Sequence, residues 1–159
     1  MTSADFDPQY GYPPAGSSHG RPGGLGARFF ARLIDGILIN IVVFMVSLFL
    51  FDRDYRWLVT GLFSGVLMFG YFVLLEVTQG ATLGKRLLGL TVHGPDGASR
   101  PDATQSAIRN SFTLLPVVPY VGPLLAFIAY VVIAVTINRS PTKQGKHDEL
   151  AGGTQVVKG

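Results

Sequence analysis

Leu33-Ile34-Asp35-Gly36-Ile37-Leu38-Ile39-Asn40-Ile41-Val42-Val43-Phe44-Met45-Val46-Ser47-Leu48-Phe49-Leu50-Phe51 is a run of nineteen residues with a single charge. As a helix it reaches ~28 Å, close to the hydrocarbon thickness of a bilayer. The rest of the chain agrees with that scale. Only 14% of its 159 residues are charged and 48% are hydrophobic, where a soluble domain carries about 25% charged residues. Two further apolar stretches follow, at Trp57–Val77 and Ala103–Asn138. The class is therefore an all-α polytopic membrane protein, with room for one compact unit.

Upstream of this run, residues 1–25 (MTSADFDPQYGYPPAGSSHGRPGGL) are rich in Gly, Pro, Ser and Tyr. Such a segment cannot bury enough apolar surface to offset the entropy of ordering, and a disordered tail is expected. It has no apolar core of its own, so no cleavable signal peptide is expected and the first span acts as its own insertion signal. The first helix is expected to begin near Ala27, with Arg28 and Arg32 in its opening turns. Downstream, Asp52-Arg53-Asp54-Tyr55-Arg56 is a charge-balanced turn that makes the first two spans an antiparallel hairpin. Tyr55 and Trp57 stand where interfacial aromatic anchors belong. Gly61 and Gly65 form a GxxxG step that admits a close helix neighbour.

Residues 78–102 are the main polar loop. Leu87–His93 followed by Gly94-Pro95-Asp96-Gly97 reads as a short strand entering a turn. A small β-hairpin or extended segment at the membrane surface is expected. The last apolar region, Ala103–Asn138, is broken by Pro116, Pro119, Gly122 and Pro123. It allows one crossing at Val117–Ile137, or a short helix over 103–118, a turn and a second helix to Asn138.

Lysine and arginine placement arbitrates. Arg21, Arg28 and Arg32 precede the first span; Lys85, Arg86, Arg100 and Arg109 lie in and after the loop; Arg139, Lys143, Lys146 and Lys158 follow the last span. Arg53 and Arg56 of the short turn are cancelled by Asp52 and Asp54. The positive-inside rule puts the N-terminus, the loop and the C-terminal tail in the cytoplasm. That requires an even number of crossings: four, or two with a re-entrant hairpin, in preference to three. The basic residues flank apolar runs, so the net charge of +3 is a topology signal and nucleic acid is not an expected partner.

The charges inside the spans carry the candidate chemistry. Arg28 and Asp35 are seven residues apart, close to two helical turns, and share a face with Arg32. An unpaired carboxylate in the hydrocarbon costs at least about 2.5–3.5 kcal/mol, so Asp35 must face the protein interior, paired with an arginine or protonated. It serves either as a proton or cation site or as an internal ion pair that sets helix register. Glu76 closes the second span at similar depth. With Arg109 it completes a charged cluster able to bind a cation, shuttle a proton, clamp a lipid headgroup, or act as inert glue.

Other signals fail on spacing. Gly80-Ala81-Thr82-Leu83-Gly84-Lys85-Arg86 misplaces its first glycine for a phosphate loop and has Arg86 where Ser or Thr is needed. His19, His93 and His147 lack zinc-ligand spacing. His147-Asp148 has no accompanying nucleophile motif. The absence of cysteine removes disulfides, thiolate metal sites and cysteine nucleophiles. No cofactor and no enzyme activity are expected.

Four segments together resemble the RDD family of bacterial membrane proteins, named for one arginine and two aspartates. They are Arg28-Phe29-Phe30-Ala31-Arg32-Leu33-Ile34-Asp35-Gly36, the stretch from Gly80 to Val92 with Asp96-Gly97 at its turn, Arg109-Asn110, and His147-Asp148-Glu149-Leu150-Ala151-Gly152-Gly153-Thr154. Arg28 resembles the family arginine, Asp35 the first aspartate and Asp148 the second; Gly152-Gly153 is one glycine longer than the pattern. The resemblance covers residues 26–157 and implies a multi-span domain, with cation/proton exchange as the most concrete role suggested for the family. A single copy is small for a transporter, so a homo-oligomer is expected with such a role. The expected partners are the lipid bilayer and a monovalent cation or proton. The functional cluster is Arg28, Arg32, Asp35, Glu76, Lys85, Arg109 and Asp148. The competing reading is a non-catalytic accessory or scaffolding module, or a lipid-headgroup-binding protein.

Overall fold

The computed structural model describes residues 20–50, 56–118 and 120–159, with the helical backbone alone for 56–63. In chain order the elements are strand β1 (Arg21–Pro22), helix α1 (Leu25–Leu50), α2 (Arg56–Gln79), α3 (Leu83–Leu87), β2 (Leu90–His93), α4 (Ala103–Asn110), α5 (Gly122–Arg139), α6 (Lys146–Leu150) and β3 (Gln155–Lys158). A 3-10 turn at Pro95–Gly97 and a 3-10 helix at Ser111–Val117 complete them.

The buried residues of α1, namely Arg28, Ala31, Asp35, Ile39, Val43 and Ser47, recur every three or four positions. One narrow stripe therefore faces protein, and most of the remaining surface is apolar and at least partly exposed. α2 runs antiparallel to it. The Arg32 guanidinium lies 3.8 Å from the Phe72 ring centre, Asp35 meets Tyr71, and a Cβ on Gly36 would touch Met68 Cε at 3.8 Å. Numbers rise along one helix as they fall along the other.

α1 and α5 are long and apolar enough to cross a membrane; the described apolar part of α2, Ser64–Gln79, is shorter. Pro116 cannot donate a backbone hydrogen bond and disfavours the α conformation before it. Accordingly α4 tightens into the 3-10 helix at Ser111. This segment climbs along α2: a Cβ on Gly65 would lie 2.7 Å from Val117 Cγ2 and 3.2 Å from the Thr113 carbonyl. Gly65 of the GxxxG step thus does admit a close neighbour. Gly122 then packs on the backbone of Leu115 and Pro116, and α5 returns. Of the two readings of 103–138, the structure follows the broken one, although α4 has only eight residues.

The chain is mostly helical with a small sheet, but one expectation needs correction: β2 is extended without being half of a local hairpin. β2, β3 and β1 form one antiparallel sheet in the order β1-β3-β2, with Leu90 opposite Lys158, Val92 opposite Val156, and Arg21 also opposite Lys158. The segment after Gly97 cannot supply the second strand. It contains Pro101, and Asp102 caps α4 by accepting from Gln105 N at 2.7 Å. Leu87, expected to open the strand, instead ends α3, because Thr82 caps a helix there.

Residues 20–25, expected in the tail, belong to the fold: Gly23 N donates to the Val156 carbonyl at 2.8 Å. The remaining tail (1–19), the turn 51–55 with Tyr55, and the Trp57 side chain lie outside the described residues. The sheet packs on α1 through Ala31, Leu90, Val92 and Val156, all buried. Gly152 and Gly153, at φ 85° and 92°, turn the chain from α6 into β3. Both sit in the left-handed region where side-chain-bearing residues are strained, which accounts for the glycine pair.

Candidate functional site

The polar side chains gather where the N-terminal end of α1, the C-terminal end of α2, α3, α4 and α6 meet. They form two linked ion-pair centres and one centre with no cation.

Asp35 is fully buried. Its Oδ1 accepts from the Tyr71 hydroxyl at 2.7 Å and from Gly84 N at 2.8 Å, and its Oδ2 accepts from Thr82 Oγ1 at 2.6 Å. No Lys, Arg or His nitrogen lies within ion-pair distance of it among the described residues. Of the two alternatives, an arginine partner or a proton, the arginine partner is corrected. Arg28 does share the stripe with Asp35 but is drawn away by Asp148 and by the Gly23 carbonyl, 2.9 Å from its Nε. Charge-assisted bonds from neutral donors stabilise a carboxylate without a cation. Here they staple α3 to α1 and α2. Gly84 permits the approach, since a Cβ there would run into the Ala31 carbonyl and lie 3.0 Å from Asp35 Cγ.

Glu76 is the second centre, also fully buried. Lys85 Nζ donates to Oε1, while Ser106 Oγ and Asn110 Nδ2 donate to Oε2, each at 2.9 Å. Arg109 Nε stands 3.8 Å from Oε2. Burial pushes the Lys85 ammonium down to about 7, opposed by Glu76 and reinforced by the positive charges of Arg109 and Arg32.

Asp148 is the third. Arg28 Nη1 donates to Oδ2 at 2.9 Å, and Gly145 N donates to the same oxygen at 3.1 Å. Arg109 Nη1 lies 3.3 Å from Oδ1, and Thr154 Oγ1 donates to that oxygen at 3.3 Å. Burial alone would raise its pKa, but the positive charges of Arg109 and Arg28 outweigh it and hold the carboxyl below its usual range. His147 Nε2 is 3.5 Å from Oδ1, too long for a good hydrogen bond. Burial pushes this imidazole down to about 3, so it stands neutral.

Arg109 bridges the last two centres and is 2% exposed. Arg32 differs from the other cations. Its Nη2 donates to Asn110 Oδ1 at 2.6 Å, and its guanidinium stacks over Phe72 with Phe112 at 5.1 Å. No carboxylate comes within ion-pair distance among the described residues.

All seven residues expected from the sequence thus lie in one layer, and Arg28, Glu76, Lys85, Arg109 and Asp148 are joined by ion pairs. Missed were Tyr71, Thr82, Ser106, Asn110 and Thr154, the neutral donors. Thr82 had a local signal, its capping position before Leu83; the others are identifiable only once the helices pack. The arrangement holds charge out of water at one end of apolar helices, where a buried lysine–carboxylate pair can exchange a proton. Among the described residues, no three His, Asp or Glu side chains gather as a metal cage.

A family model described as RDD family matches residues 22–152. No match was found among curated proteins or among solved structures. With the match covering most of the chain, and apolar helices that fit a membrane setting, the chain belongs to the RDD family.

Proposed function

We propose that the chain is a multi-pass protein of the bacterial cytoplasmic membrane, with its N-terminus, sheet layer and C-terminal tail in the cytoplasm. The observation that carries this reading is the β1–β3 pairing. Arg21 lies opposite Lys158, so both ends of the folded chain share one side of any bilayer the helices cross. The number of crossings is then even. α1 and α2 are the two crossings. α4 sits in the charged layer through Ser106, Arg109 and Asn110, so the seven 3-10 residues make the climb of ~14 Å away from it, as the rising limb of a re-entrant hairpin, and α5 makes the return.

For activity we propose ion handling, a cation/proton exchange in which the buried Glu76–Lys85 pair changes its charge. Support comes from the position of this buried pair in the charged layer at one end of the apolar helices and from the Lys85 pKa near 7. The cargo is a proton or monovalent cation, and the working unit is a homo-oligomer. Vesicles carrying the full chain and an imposed proton or sodium gradient test this. Wild type dissipates the gradient and Glu76→Gln abolishes the flux. Flux that survives Glu76→Gln refutes the exchange reading.

A second reading is favoured by the saturation of the carboxylates, since both oxygens of Asp35, Glu76 and Asp148 already accept donors. That is how a clamp is built, and it suits an accessory or scaffolding module, or a lipid-headgroup-binding face. In that case Glu76→Gln lowers stability, and vesicles with wild type hold their gradient as protein-free vesicles do.

A further inference from the structure

Three polar side chains interrupt the apolar run of α1: Asp35, Asn40 and Ser47. Asp35 and Ser47 lie in the buried stripe. Asn40 does not. It is exposed, on a surface shared with Leu33, Ile37 and Phe44, which are 45%, 54% and 54% exposed. These positions, at i−7, i−3 and i+4, fall on one side of the helix, along the edge of the buried stripe that Val43 and Ser47 continue at i+3 and i+7. Along α1 Asn40 stands ~10 Å from Leu33 and ~15 Å from Leu50, well inside a hydrocarbon layer.

One N–H of the Asn40 carboxamide is used by its own helix: Nδ2 donates to the Gly36 carbonyl at 2.8 Å. The second N–H and Oδ1 have no partner among the described residues. In hydrocarbon there is no water to satisfy them, and asparagine at such positions bonds across helices. The remaining groups are one donor and one acceptor, so the carboxamide is complementary to itself. A two-fold axis along the membrane normal would bring Asn40 of one copy against Asn40 of the other, each donating and accepting.

We propose that this face of α1 is a homodimer interface, closed by an Asn40–Asn40 hydrogen-bonded pair inside the bilayer with Leu33, Ile37 and Phe44 packed around it. The occupant is a second copy of this chain in the same orientation. The proposal rests on α1 spanning the membrane, but not on ion exchange. It names the surface through which the proposed oligomer forms.

The test uses the full chain in lipid vesicles. The chain has no cysteine, so a fluorophore at Lys143→Cys reports association by energy transfer as the protein-to-lipid ratio is varied. Wild type should dimerise. Asn40→Leu should weaken dimerisation about 5- to 30-fold, the range that such interhelical bonds contribute in model helices. Asn40→Gln, which keeps the amide, should stay within about 3-fold of wild type, on the same scale. Oxidation of single-cysteine variants gives the geometry. Leu33→Cys and Phe44→Cys should cross-link between copies, whereas Leu38→Cys and Val42→Cys, on the opposite side of the helix, should not. Monomeric wild type at every ratio, an unchanged midpoint in Asn40→Leu, or cross-linking at 38 and 42 instead would each overturn the proposal. A water-soluble maleimide keeps the underlying reading separate. If it labels Phe44→Cys readily, α1 is not in the bilayer, and the spanning assignment itself fails.

Discussion

Around Arg109, side chains from α1, α2, α3, α4 and α6 converge so closely that Asp35, Glu76, Asp148 and Arg109 are almost completely removed from solvent. Some 15 Å along α1, Ile41, Val42, Phe44 and Met45 face outward, each about half exposed. One region is cemented by ion pairs and directed hydrogen bonds; the other is an apolar shaft held to its neighbours along a narrow stripe. The difference follows from the solvent each was built for. Lipid tails are as apolar as leucine, so helices in a bilayer gain little by hiding apolar surface from it. Directional polar bonds, which water would otherwise compete for, hold the bundle where the helices reach the interface.

Breaking the polar region should therefore cost far more than altering the shaft. The largest effect is expected for Arg109→Met, which leaves Glu76 and Asp148 with fewer counter-charges in a buried setting. A loss of about 3–5 kcal/mol is expected, measured by equilibrium unfolding in mixed micelles. Next is Gly84→Ala, whose Cβ meets the Ala31 carbonyl and Asp35. It should cost about 1–3 kcal/mol and detach α3, seen as faster hydrogen exchange at Lys85 and Arg86.

Asp35→Asn replaces one acceptor oxygen by a donor facing donors and should cost about 1–3 kcal/mol. Ion flux in the folded fraction should be unchanged, since Asp35 holds no cation. Abolished flux in a folded Asp35→Asn protein would move the exchanging centre from Glu76 to Asp35.

Acid should act on the polar region as well. His147 titrates near 3 when folded, below its usual 6.5, so between those values the unfolded chain binds a proton that the folded chain does not. Stability is therefore fully present above about pH 6.5 and falls as the pH drops, by at most about 1.4 kcal/mol per pH unit. Asp148, with a lowered pKa, adds to the loss once the pH passes below its ordinary 3.8. His147→Asn should flatten the slope between pH 6.5 and 4. An unchanged slope would mean the imidazole is not buried neutral. The smallest effect belongs to the shaft: Ile41→Ala, 58% exposed, should shift stability by no more than about 0.5 kcal/mol.

The same contrast explains what could be read from the residues alone. The shafts were legible because apolar length is a local property. The described part of α1, Leu25–Leu50, takes in the expected run as far as residue 50, and α2 covers Arg56–Gln79 against an expected Trp57–Val77. The membership of the charged layer was legible too, since charges beside apolar runs must be buried together. Its wiring was not. Arg28 and Asp35 share a face, which suggested a pair, but the rival partners Asp148, Thr82 and Gly84 lie 47 or more positions further along the chain. The sheet escaped for a related reason. Gly94-Pro95-Asp96-Gly97 is a local turn signal, whereas the true partner of β2 is over 60 residues further along.

The central claim is that the polar layer and both ends of the folded chain share the cytoplasmic side, with the apolar shafts crossing from it. Single-cysteine accessibility in intact cells tests this most directly, using Asp54→Cys, Asp96→Cys and Lys146→Cys one at a time. An impermeant maleimide should label position 54 from outside, and positions 96 and 146 only after the membrane is opened. Labelling of 146 from outside an intact cell, with 96 protected, would contradict the account, because the β2–β3 pairing cannot straddle a bilayer.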